Sequence, residues 1–507
     1  MFPKNNEEAK KDALYIQAFG KRLYGDQTIY EYLLEFLLIF CSDKVKNEDG
    51  SFKGSFSFHK DLEDISYYVN PRIGLKRFIF YEKSKNENRF PIDKQCYEEI
   101  VDIVKETIAD QKNQQELIAI MQDSFYGFSA VLKNRAWFAQ SLLPIAPQLI
   151  FNESIGDKKE RGKLKIEGEN DYNKTERKFQ FTRHSFMARG GEVYYLHVLQ
   201  GLQREEQTRI RLEAYLKHLV HAVDDLGYLG EFIQDKWEEK KEIEVKEQMQ
   251  GYRCGYIPNG YQRRASYTCK ELCCILSNTM NQLDKMEYLG LGMMLQIFRM
   301  MYEQASLRIG KTGMPLWFID VSRGNKNIRM LAEQSWVRYQ EVIEEATNKG
   351  LDNIEYIRPN YEKRNGKSYK EGELEIKLMN DSKKHTVHMI RKIGKDMKLV
   401  IPKTGGRERM TFTEEIVTFL VTSLLEPMQK VTVDTFYDKL FEHFGIVIGS
   451  RHAEEYYAYQ HIDQNYEIDL KENEQEFLRL LKECGYLREL SDATAIVFNP
   501  YERDEIR

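Results

Sequence analysis

Two glutamates and a lysine alternate in the segment ELEIK, at Glu373, Glu375 and Lys377. In a β-strand, side chains two residues apart lie on one face, so these three groups would come together. Paired carboxylates can hold a divalent cation beside a phosphate, which is the chemistry of a metal-dependent nuclease, and Asp352 or Asp381 could add a further carboxylate. The same alternation is typical of any half-exposed strand, which is the interpretation we favour.

A second candidate is a metal site at His218, His221 and Asp225. We predict one helix over Glu192–Leu229, and on it these three side chains share the face opposite the apolar stripe. Imidazole and carboxylate groups are zinc ligands, and Cys254 or the downstream cysteines of CKELCC could complete the set. No CxxC pair is present. We therefore favour a polar helix face that contacts solvent or another subunit.

A third candidate is an anion site at the start of the same predicted helix. Arg183 and Arg189 precede Gly190 and Gly191. Paired glycines allow a ligand to approach the backbone closely, and the positive end of a helix dipole attracts anions. However, Glu192 already places a carboxylate there, and an ordinary glycine-rich loop capped by Glu192 is the preferred alternative.

The segment Ala305–Thr312 (ASLRIGKT) fits a permissive phosphate-binding loop with alanine in place of the first glycine. A working loop of this kind follows a strand and opens a helix. Here a predicted helix precedes the segment and Met314-Pro315 follows it, so we predict a helix C-terminus capped by Gly310. No complete catalytic or cofactor motif is found, and we expect no cofactor.

Size and composition predict a multidomain cytoplasmic protein. The 507 residues suffice for about three domains, at roughly 100–200 residues per domain. The net charge of −5 argues against a protein that coats nucleic acid generally. The N-terminus lacks the features of a secretory signal, no apolar stretch reaches the roughly 20 residues of a membrane span, and the seven cysteines are scattered. We expect reduced thiols and no membrane contact.

Periodicity predicts a mainly α fold with minor β structure. We divide the chain into five segments: a helical N-terminal domain (1–150), a charged linker or β-hairpin arm (151–190), a helical central domain (191–350), a basic β-rich segment (351–410) and an acidic C-terminal domain (411–507). In the fourth segment, ELEIKLM, HTVHMI and MKLVIP alternate with a period near two, which predicts short strands.

Positive charge is concentrated in that fourth segment. From Arg358 to Arg409 there are 15 Lys or Arg against 7 Asp or Glu, a net of +8. Such a region can follow phosphates independently of sequence. Together with Arg135, which stands beside aromatic residues, the candidate nucleic-acid or anion contacts are Arg135, Arg183, Arg189, Gly190, Gly191, Lys383, Lys384, Arg391, Lys392, Lys395 and Lys398.

The C-terminal segment has the opposite sign and resembles a winged helix. Residues 411–507 contain 9 Lys or Arg against 20 Asp or Glu, a net of −11. We predict helices over Thr413–Leu425, from the N-cap Asp434 to Phe444 and over Glu472–Glu483, then two strands that form the wing. An irregular insertion before the third helix departs from the minimal pattern. The third helix is acidic, so we expect this module to bind a protein or the chain's own basic region.

These patterns predict a non-catalytic scaffold subunit of a bacterial multi-protein DNA-transaction system, such as phage defence or chromosome maintenance. Its expected partners are other protein subunits, for example an ATPase or a nuclease, together with weakly held DNA. The alternatives are a metal-dependent nuclease or another metal-site enzyme, and a helical regulator of small-molecule metabolism.

Overall fold

The chain forms two compact units, each built from separate stretches of sequence. The computed structural model describes residues 13–20, 23, 27–62, 65–69, 72–82, 91–127, 146–150, 190–241, 250–255, 257–491 and 494–505. The first unit comprises residues 1–29, 196–212 and 256–507, and the second comprises residues 30–195 and 213–255. Both units are discontinuous, whereas the five predicted segments are continuous. Among the described residues, no helix has the length and apolarity required to cross a membrane.

The described elements are mainly helices. Up to residue 255 they are α1 (Leu14–Phe19), α2 (Ile29–Cys41), β1 (Val45–Lys46), β2 (Phe52–Lys53), β3 (Ser66–Val69), α3 (Ile73–Phe80), α4 (Pro91–Thr107), α5 (Gln114–Gly127), α6 (Gly190–Gly201), α7 (Glu206–Val220), α8 (Asp224–Lys241) and β4 (Gln250–Arg253). Up to residue 396 they continue with α9 (Asn259–Gln262), α10 (Ala265–Leu276), α11 (Gln282–Arg308), β5 (Trp317–Phe318), α12 (Lys326–Asn348), α13 (Ile354–Asn365), α14 (Glu373–Lys384) and α15 (Val387–Asp396).

The remaining elements are β6 (Val400–Ile401), β7 (Arg409–Met410), α16 (Glu414–Leu424), β8 (Lys430–Thr432), α17 (Val433–Phe444), β9 (Ile446–Val447), α18 (Ala453–Gln460), α19 (Glu467–Glu483), β10 (Leu487–Ser491) and β11 (Thr494–Phe498). The sheets are small. Antiparallel pairs join β1 to β2, β3 to β4 and β6 to β7, while β5 pairs with β9 in parallel. The three-stranded sheet has the order β10-β11-β8 and is antiparallel.

The second unit has an apolar core between α3, α4, α5 and α8. Leu75, Phe78, Ile100, Phe125 and Ile233 are among its fully buried residues. Sequence periodicity predicts one helix over residues 98–119, but the structure has two, α4 and α5. The chain turns between them, where the Asp110 carboxylate accepts hydrogen bonds from the Lys112 N–H and the Asn113 side chain.

The single helix predicted over Glu192–Leu229 is also wrong, because three helices (α6, α7 and α8) occupy this stretch. Within the first unit, a Cβ on Gly201 would meet the Ala265 carbonyl oxygen at 2.5 Å, so glycine at this position permits close packing. By contrast, the helix predicted over residues 327–347 is confirmed as α12. Asn325 begins α12 by accepting hydrogen bonds from the N–H groups of Asn327 and Ile328.

The strands predicted in the basic segment are wrong over residues 354–396, which form three helices. A strand would place Leu374, Ile376 and Leu378 on one face. Instead Leu374 and Leu378 are buried and Ile376 is 62% exposed, as spacing of four residues on α14 requires. Only MKLVIP contributes a short strand, β6, paired with β7.

The elements predicted after residue 410 are confirmed. Three predicted helices correspond to α16, α17 and α19, and the two terminal strands form the hairpin β10-β11. Two details differ. Helix α19 begins at Glu467, before the predicted start at Glu472, and Thr432, not Asp434, is the N-cap of α17. The Thr432 backbone is extended and its hydroxyl accepts a hydrogen bond from the Thr435 N–H at 3.2 Å, whereas Asp434 already lies inside the helix.

Candidate nucleic-acid interface

A short loop between α13 and α14 presents a tyrosine beside both helices. Gly366 ends α13 at a φ of 63° and Gly372 precedes α14 at a φ of 79°, conformations that glycine adopts without steric cost. Between them lies Tyr369. The loop therefore reverses the chain and brings Tyr369 close to Tyr361, with ring centroids 5.6 Å apart in an edge-to-face arrangement.

Two side chains of α13 fix this loop. Arg358 donates to the Tyr369 carbonyl oxygen at 3.0 Å and to Glu375 at 2.9 Å. The Glu362 carboxylate accepts a hydrogen bond from the Tyr369 N–H at 2.9 Å. Because both polar groups of the Tyr369 backbone are bonded, the backbone of this residue is held in place before any ligand arrives.

A cavity of about 510 Å³ opens at this loop. Its polar lining has a positive excess, with four cationic side chains (Arg364, Lys367, Lys377 and Lys384) against Glu373 and Asp381. This volume lies within the roughly 300–1,000 Å³ range of small-ligand pockets. The cavity combines aromatic surface with positive charge, which suits a phosphate-bearing aromatic ligand.

Three of the four cations of the cavity lie against the two tyrosine rings. Lys377 donates to the Tyr369 hydroxyl at 2.8 Å, and its Nζ is 4.9 Å from the Tyr369 ring centroid. Lys367 lies 4.8 Å from the same centroid, and the Arg364 guanidinium lies 5.3 Å from that of Tyr361. These are cation–π distances, at which each ring stabilises a positive charge beside it.

The structure separates the three residues proposed as a nuclease centre. On α14, Glu373 and Lys377 are one turn apart, but Glu375 lies on another face and pairs with Arg358. A hydrogen bond from the Lys370 N–H and another from Lys367 lower the pKa of Glu373, and the Tyr369 hydroxyl raises the pKa of Lys377. Both groups are thus held in their charged forms.

Most of the other predicted basic contacts pair with carboxylates of the chain. Lys383 contacts Glu344 at 3.0 Å, while Lys384 lines the cavity. The ion pairs after α14 are Arg391–Glu408 at 2.7 Å, Lys395–Glu408 at 2.5 Å, Lys392–Asp396 at 3.1 Å and Lys398–Glu415 at 2.6 Å. Arg391 and Lys395 thereby serve the fold, whereas the exposed pairs of Lys392 and Lys398 are weak enough to exchange partners.

The predicted anion site at Gly190 and Gly191 is occupied by the chain itself. A Cβ on Gly191 would lie 2.5 Å from the Phe36 nitrogen and the Tyr32 carbonyl oxygen, so α6 begins in direct contact with α2. The buried Glu35 carboxylate accepts a hydrogen bond from the Gly191 N–H at 2.8 Å. The helix N-terminus therefore does bind an anion, but that anion belongs to α2. Arg135, Arg183 and Arg189 lie outside the described residues.

The Glu192 side chain also bonds outside its own helix. Its carboxylate accepts a hydrogen bond from the Gly255 N–H at 3.0 Å, which joins the start of α6 to the end of β4.

We expect Gly191→Ala to destabilise the second unit by about 1–3 kcal/mol, because its methyl group would meet backbone atoms that cannot rotate away. The matched control is Gly290→Ala in α11, where an added Cβ would lie 3.9 Å from its nearest neighbours. That change should be neutral or stabilising by up to about 1 kcal/mol, since alanine favours helices. Chemical denaturation of both variants measures the difference, and equal effects would contradict the packing described.

The proposed metal ligands lie on different helices. His218 is near the end of α7, His221 follows that helix, and Asp225 is in the first turn of α8. The His221 ring packs edge-on against Phe56, with centroids 5.1 Å apart. Within the part of the chain that the structure describes, no group of three or more His, Cys, Asp or Glu residues is placed to hold a metal ion.

The segment Ala305–Thr312 is a helix end, as predicted. Helix α11 ends at Arg308 with Ile309 as its C-cap, and Gly310 follows at a φ of 76°. The Lys311 N–H donates to the Ser306 carbonyl oxygen at 2.8 Å, which closes the last turn of the helix.

A buried polar network in the first unit has no signal in the sequence. The Glu271 carboxylate accepts hydrogen bonds from His443 at 2.9 Å and Gln296 at 2.7 Å. Gln296 in turn accepts a bond from Arg299, and Arg299 pairs with Glu303 at 2.5 Å. Burial lowers the pKa of His443, so the imidazole is held in its neutral form. The network joins α10, α11 and α17 inside the core.

The tyrosine-lined cavity was also missed from the sequence. Its signal is the interleaving of aromatic and basic residues in YEKRNGKSY, from Tyr361 to Tyr369, which is typical of nucleic-acid contacts. Comparisons with protein-family models, curated proteins and solved structures find no match to this chain.

Proposed function

We propose that this chain is a non-catalytic interaction subunit of a multi-protein DNA-transaction system, of the kind used in phage defence or chromosome maintenance. Its basic segment contacts nucleic acid without reading sequence, and its C-terminal module binds another protein. The observation that carries the proposal is the surface of α19. Its inward face is hydrogen-bonded to the chain, while on its outer face Lys471 pairs with Glu467 and Ile468 is 85% exposed.

The C-terminal module is a winged helix with an insertion, and three features support this description. First, α16, β8, α17 and α19 follow in the order helix, strand, helix, helix. Second, the hairpin β10-β11 pairs with β8 in one antiparallel sheet, as a wing does. Third, β9 and α18 form the insertion that precedes α19.

In a DNA-binding module of this type, the N-terminal residues of the third helix enter the major groove. Here the inward face of α19 packs against the chain. Asn473 accepts hydrogen bonds from the N–H groups of Val321 and Ser322 and donates to the carbonyl oxygens of Ile319 and Ile448. All four bonds lie between 2.7 and 3.0 Å, so this face of α19 is occupied.

Other α19 contacts point the same way. Asp469 accepts hydrogen bonds from the side chains of Asn325 and Asn327, which lie at the start of α12. On the outer face, Lys471 pairs with Glu467 on the same helix at 2.7 Å, while Ile468 is 85% exposed. A helix with neutralised cations and an exposed isoleucine suits a protein surface better than a phosphate backbone.

The test compares two sets of three substitutions with the same change in charge. In the full-length chain, Lys384→Gln with Lys392→Gln and Lys398→Gln removes cations from the proposed DNA surface. We expect roughly tenfold weaker binding of a random-sequence duplex at about 50 mM salt, and a shallower salt dependence, because fewer counterions are released. Fluorescence anisotropy over a salt series measures both quantities.

The matched control neutralises three paired cations of α19: Lys471→Gln, Arg479→Gln and Lys482→Gln. Its duplex affinity should equal that of the unmodified chain. Equal losses in the two sets, or loss in the α19 set alone, would show that the C-terminal module reads DNA. Absence of duplex binding by the unmodified chain at low salt would overturn the nucleic-acid part of the proposal.

A further inference from the structure

We infer that the cavity between α13 and α14 binds single-stranded nucleic acid, with an unpaired base stacked on Tyr361 and the adjoining phosphates held by Arg364, Lys377 and Lys384. This inference rests on the proposed function, because it assigns to one site the nucleic-acid contact proposed for the basic segment as a whole. It goes further in naming a single strand as the ligand and stacking as the mode of recognition.

Size and shape favour an unpaired strand. A cavity of about 510 Å³ admits a nucleotide, whereas the bases of a duplex are stacked and paired and are not available to a tyrosine ring. Proteins that bind single strands without sequence preference combine a positively charged surface with aromatic side chains. Both components meet here within one helical hairpin.

The charges of the cavity are arranged for a phosphate. Lys367 pairs with Glu373 at 3.3 Å, which partly neutralises one of the two lining carboxylates. Lys377 donates to the Tyr369 hydroxyl at 2.8 Å and forms no ion pair with a carboxylate among the described residues, so it keeps its full positive charge for an anion. A phosphate within reach of Lys377 and Lys384 would gain charge-assisted hydrogen bonds.

The loop that holds Tyr369 makes the site preformed. Arg358 and Glu362 fix the Tyr369 backbone, and Tyr361 and Tyr369 pack against the cluster of Leu14, Ile357, Leu374 and Leu378. Binding to an aromatic ring that is already fixed costs less conformational entropy than binding that must first order a mobile loop.

The decisive probes are two oligomers of about 15 nucleotides with the same number of phosphates, an oligothymidylate and an abasic strand. We expect the full-length chain to bind the oligothymidylate at least about tenfold more tightly, since stacking on even one ring contributes that much. Equal affinity for the two strands would overturn the inference, because the contact would then be one of charge alone. This comparison needs no variant.

Three substitutions locate the contact. Tyr361→Leu should weaken oligothymidylate binding about tenfold, and Tyr361→Phe, which keeps the ring, should leave it unchanged. Lys377→Gln should weaken the binding of both the oligothymidylate and the abasic strand. Thermal unfolding identifies any variant that fails to fold, in which case the abasic comparison decides. If the Tyr361→Leu variant folds normally and its affinity for oligothymidylate is unchanged, the inference is also overturned.

Duplex binding separates this inference from the proposed function. Tyr361→Leu should leave the affinity for duplex unchanged. The chain could bind duplex and yet bind oligothymidylate and the abasic strand equally, with no effect of Tyr361→Leu. In that case only the stacking site is wrong. If it binds neither strand nor duplex, the proposed function fails with it.

Discussion

Replacing Glu408 with glutamine is expected to destabilise the first unit by about 3 kcal/mol, because it leaves two cations without a counter-charge. Glu408 is 8% exposed and accepts two hydrogen bonds from Arg391, each at 2.7 Å. Lys395 and the Trp336 indole bond to the same carboxylate. The expected loss lies at the lower end for a buried pair because Arg391 is partly exposed. Chemical denaturation followed by circular dichroism measures the loss.

Glu415→Gln is the matched control, since it removes the same charge from an exposed pair. Glu415 contacts Lys398 at 2.6 Å, but both side chains are about half exposed. Such pairs contribute roughly 0–1 kcal/mol. A similar loss of stability in the two variants would mean that the ion pairs of Glu408 stabilise the fold no more than the exposed pair of Glu415.

The contribution of Glu408 should depend on pH in a defined direction. Burial alone would raise the pKa of Glu408, but hydrogen bonds from Arg391, Lys395 and Trp336 lower it from 4.5 to about 2. A carboxyl whose pKa is lower in the folded state contributes stability above its unfolded pKa and loses it as the pH falls towards the folded value. The difference between the native chain and Glu408→Gln should therefore be full at neutral pH and shrink between about pH 4.5 and pH 2.

The second large effect is expected for Arg299→Met in the buried network. Arg299 and Glu303 are 1% and 2% exposed, and Arg299 also donates to Gln296. Removing the guanidinium leaves the Glu303 carboxylate buried without its cation. Breaking a buried pair by removing one partner costs about 3–5 kcal/mol, and we expect a loss of free energy of unfolding in that range.

The control for this prediction removes both charges. In Arg299→Met with Glu303→Leu, neither member of this ion pair is left buried without the other, so most of the lost stability should return. A double-mutant cycle with Glu303→Leu alone isolates the coupling between the two side chains. If the double variant is less stable than Arg299→Met, the pair is not the source of the loss.

Sequence periodicity predicts well where hydrophobic spacing is unambiguous. The pattern over α12 and the helices and hairpin after residue 410 are of this kind. It fails over α14 because the apolar residues there allow two interpretations. Leu374, Ile376 and Leu378 together fit the period of two of a strand, whereas Leu374 and Leu378 alone fit the four-residue spacing of a helix. Only packing, which buries two of these residues and exposes Ile376, decides between the two.

Site residues were harder to predict because their meaning depends on distant partners. Gly190 and Gly191 suggest a phosphate site until Glu35, 156 residues earlier than Gly191, is seen to bond there. Glu375 fits a catalytic set in the sequence, but in the structure it forms an ion pair with Arg358. Conversely, Tyr361 and Tyr369 become a candidate site only when the loop between α13 and α14 brings their rings together.

The parallel pairing of β5 with β9 affects how the chain can fold during its synthesis. Trp317 and Phe318 find their backbone partners at Ile446 and Val447, about 130 residues later. At roughly 5–20 residues per second, the ribosome needs about 6–26 s to deliver that partner strand. During this interval the backbone edge of β5 that pairs with β9 has no partner strand. We therefore expect premature termination before β9 to leave this edge unpaired and to promote aggregation.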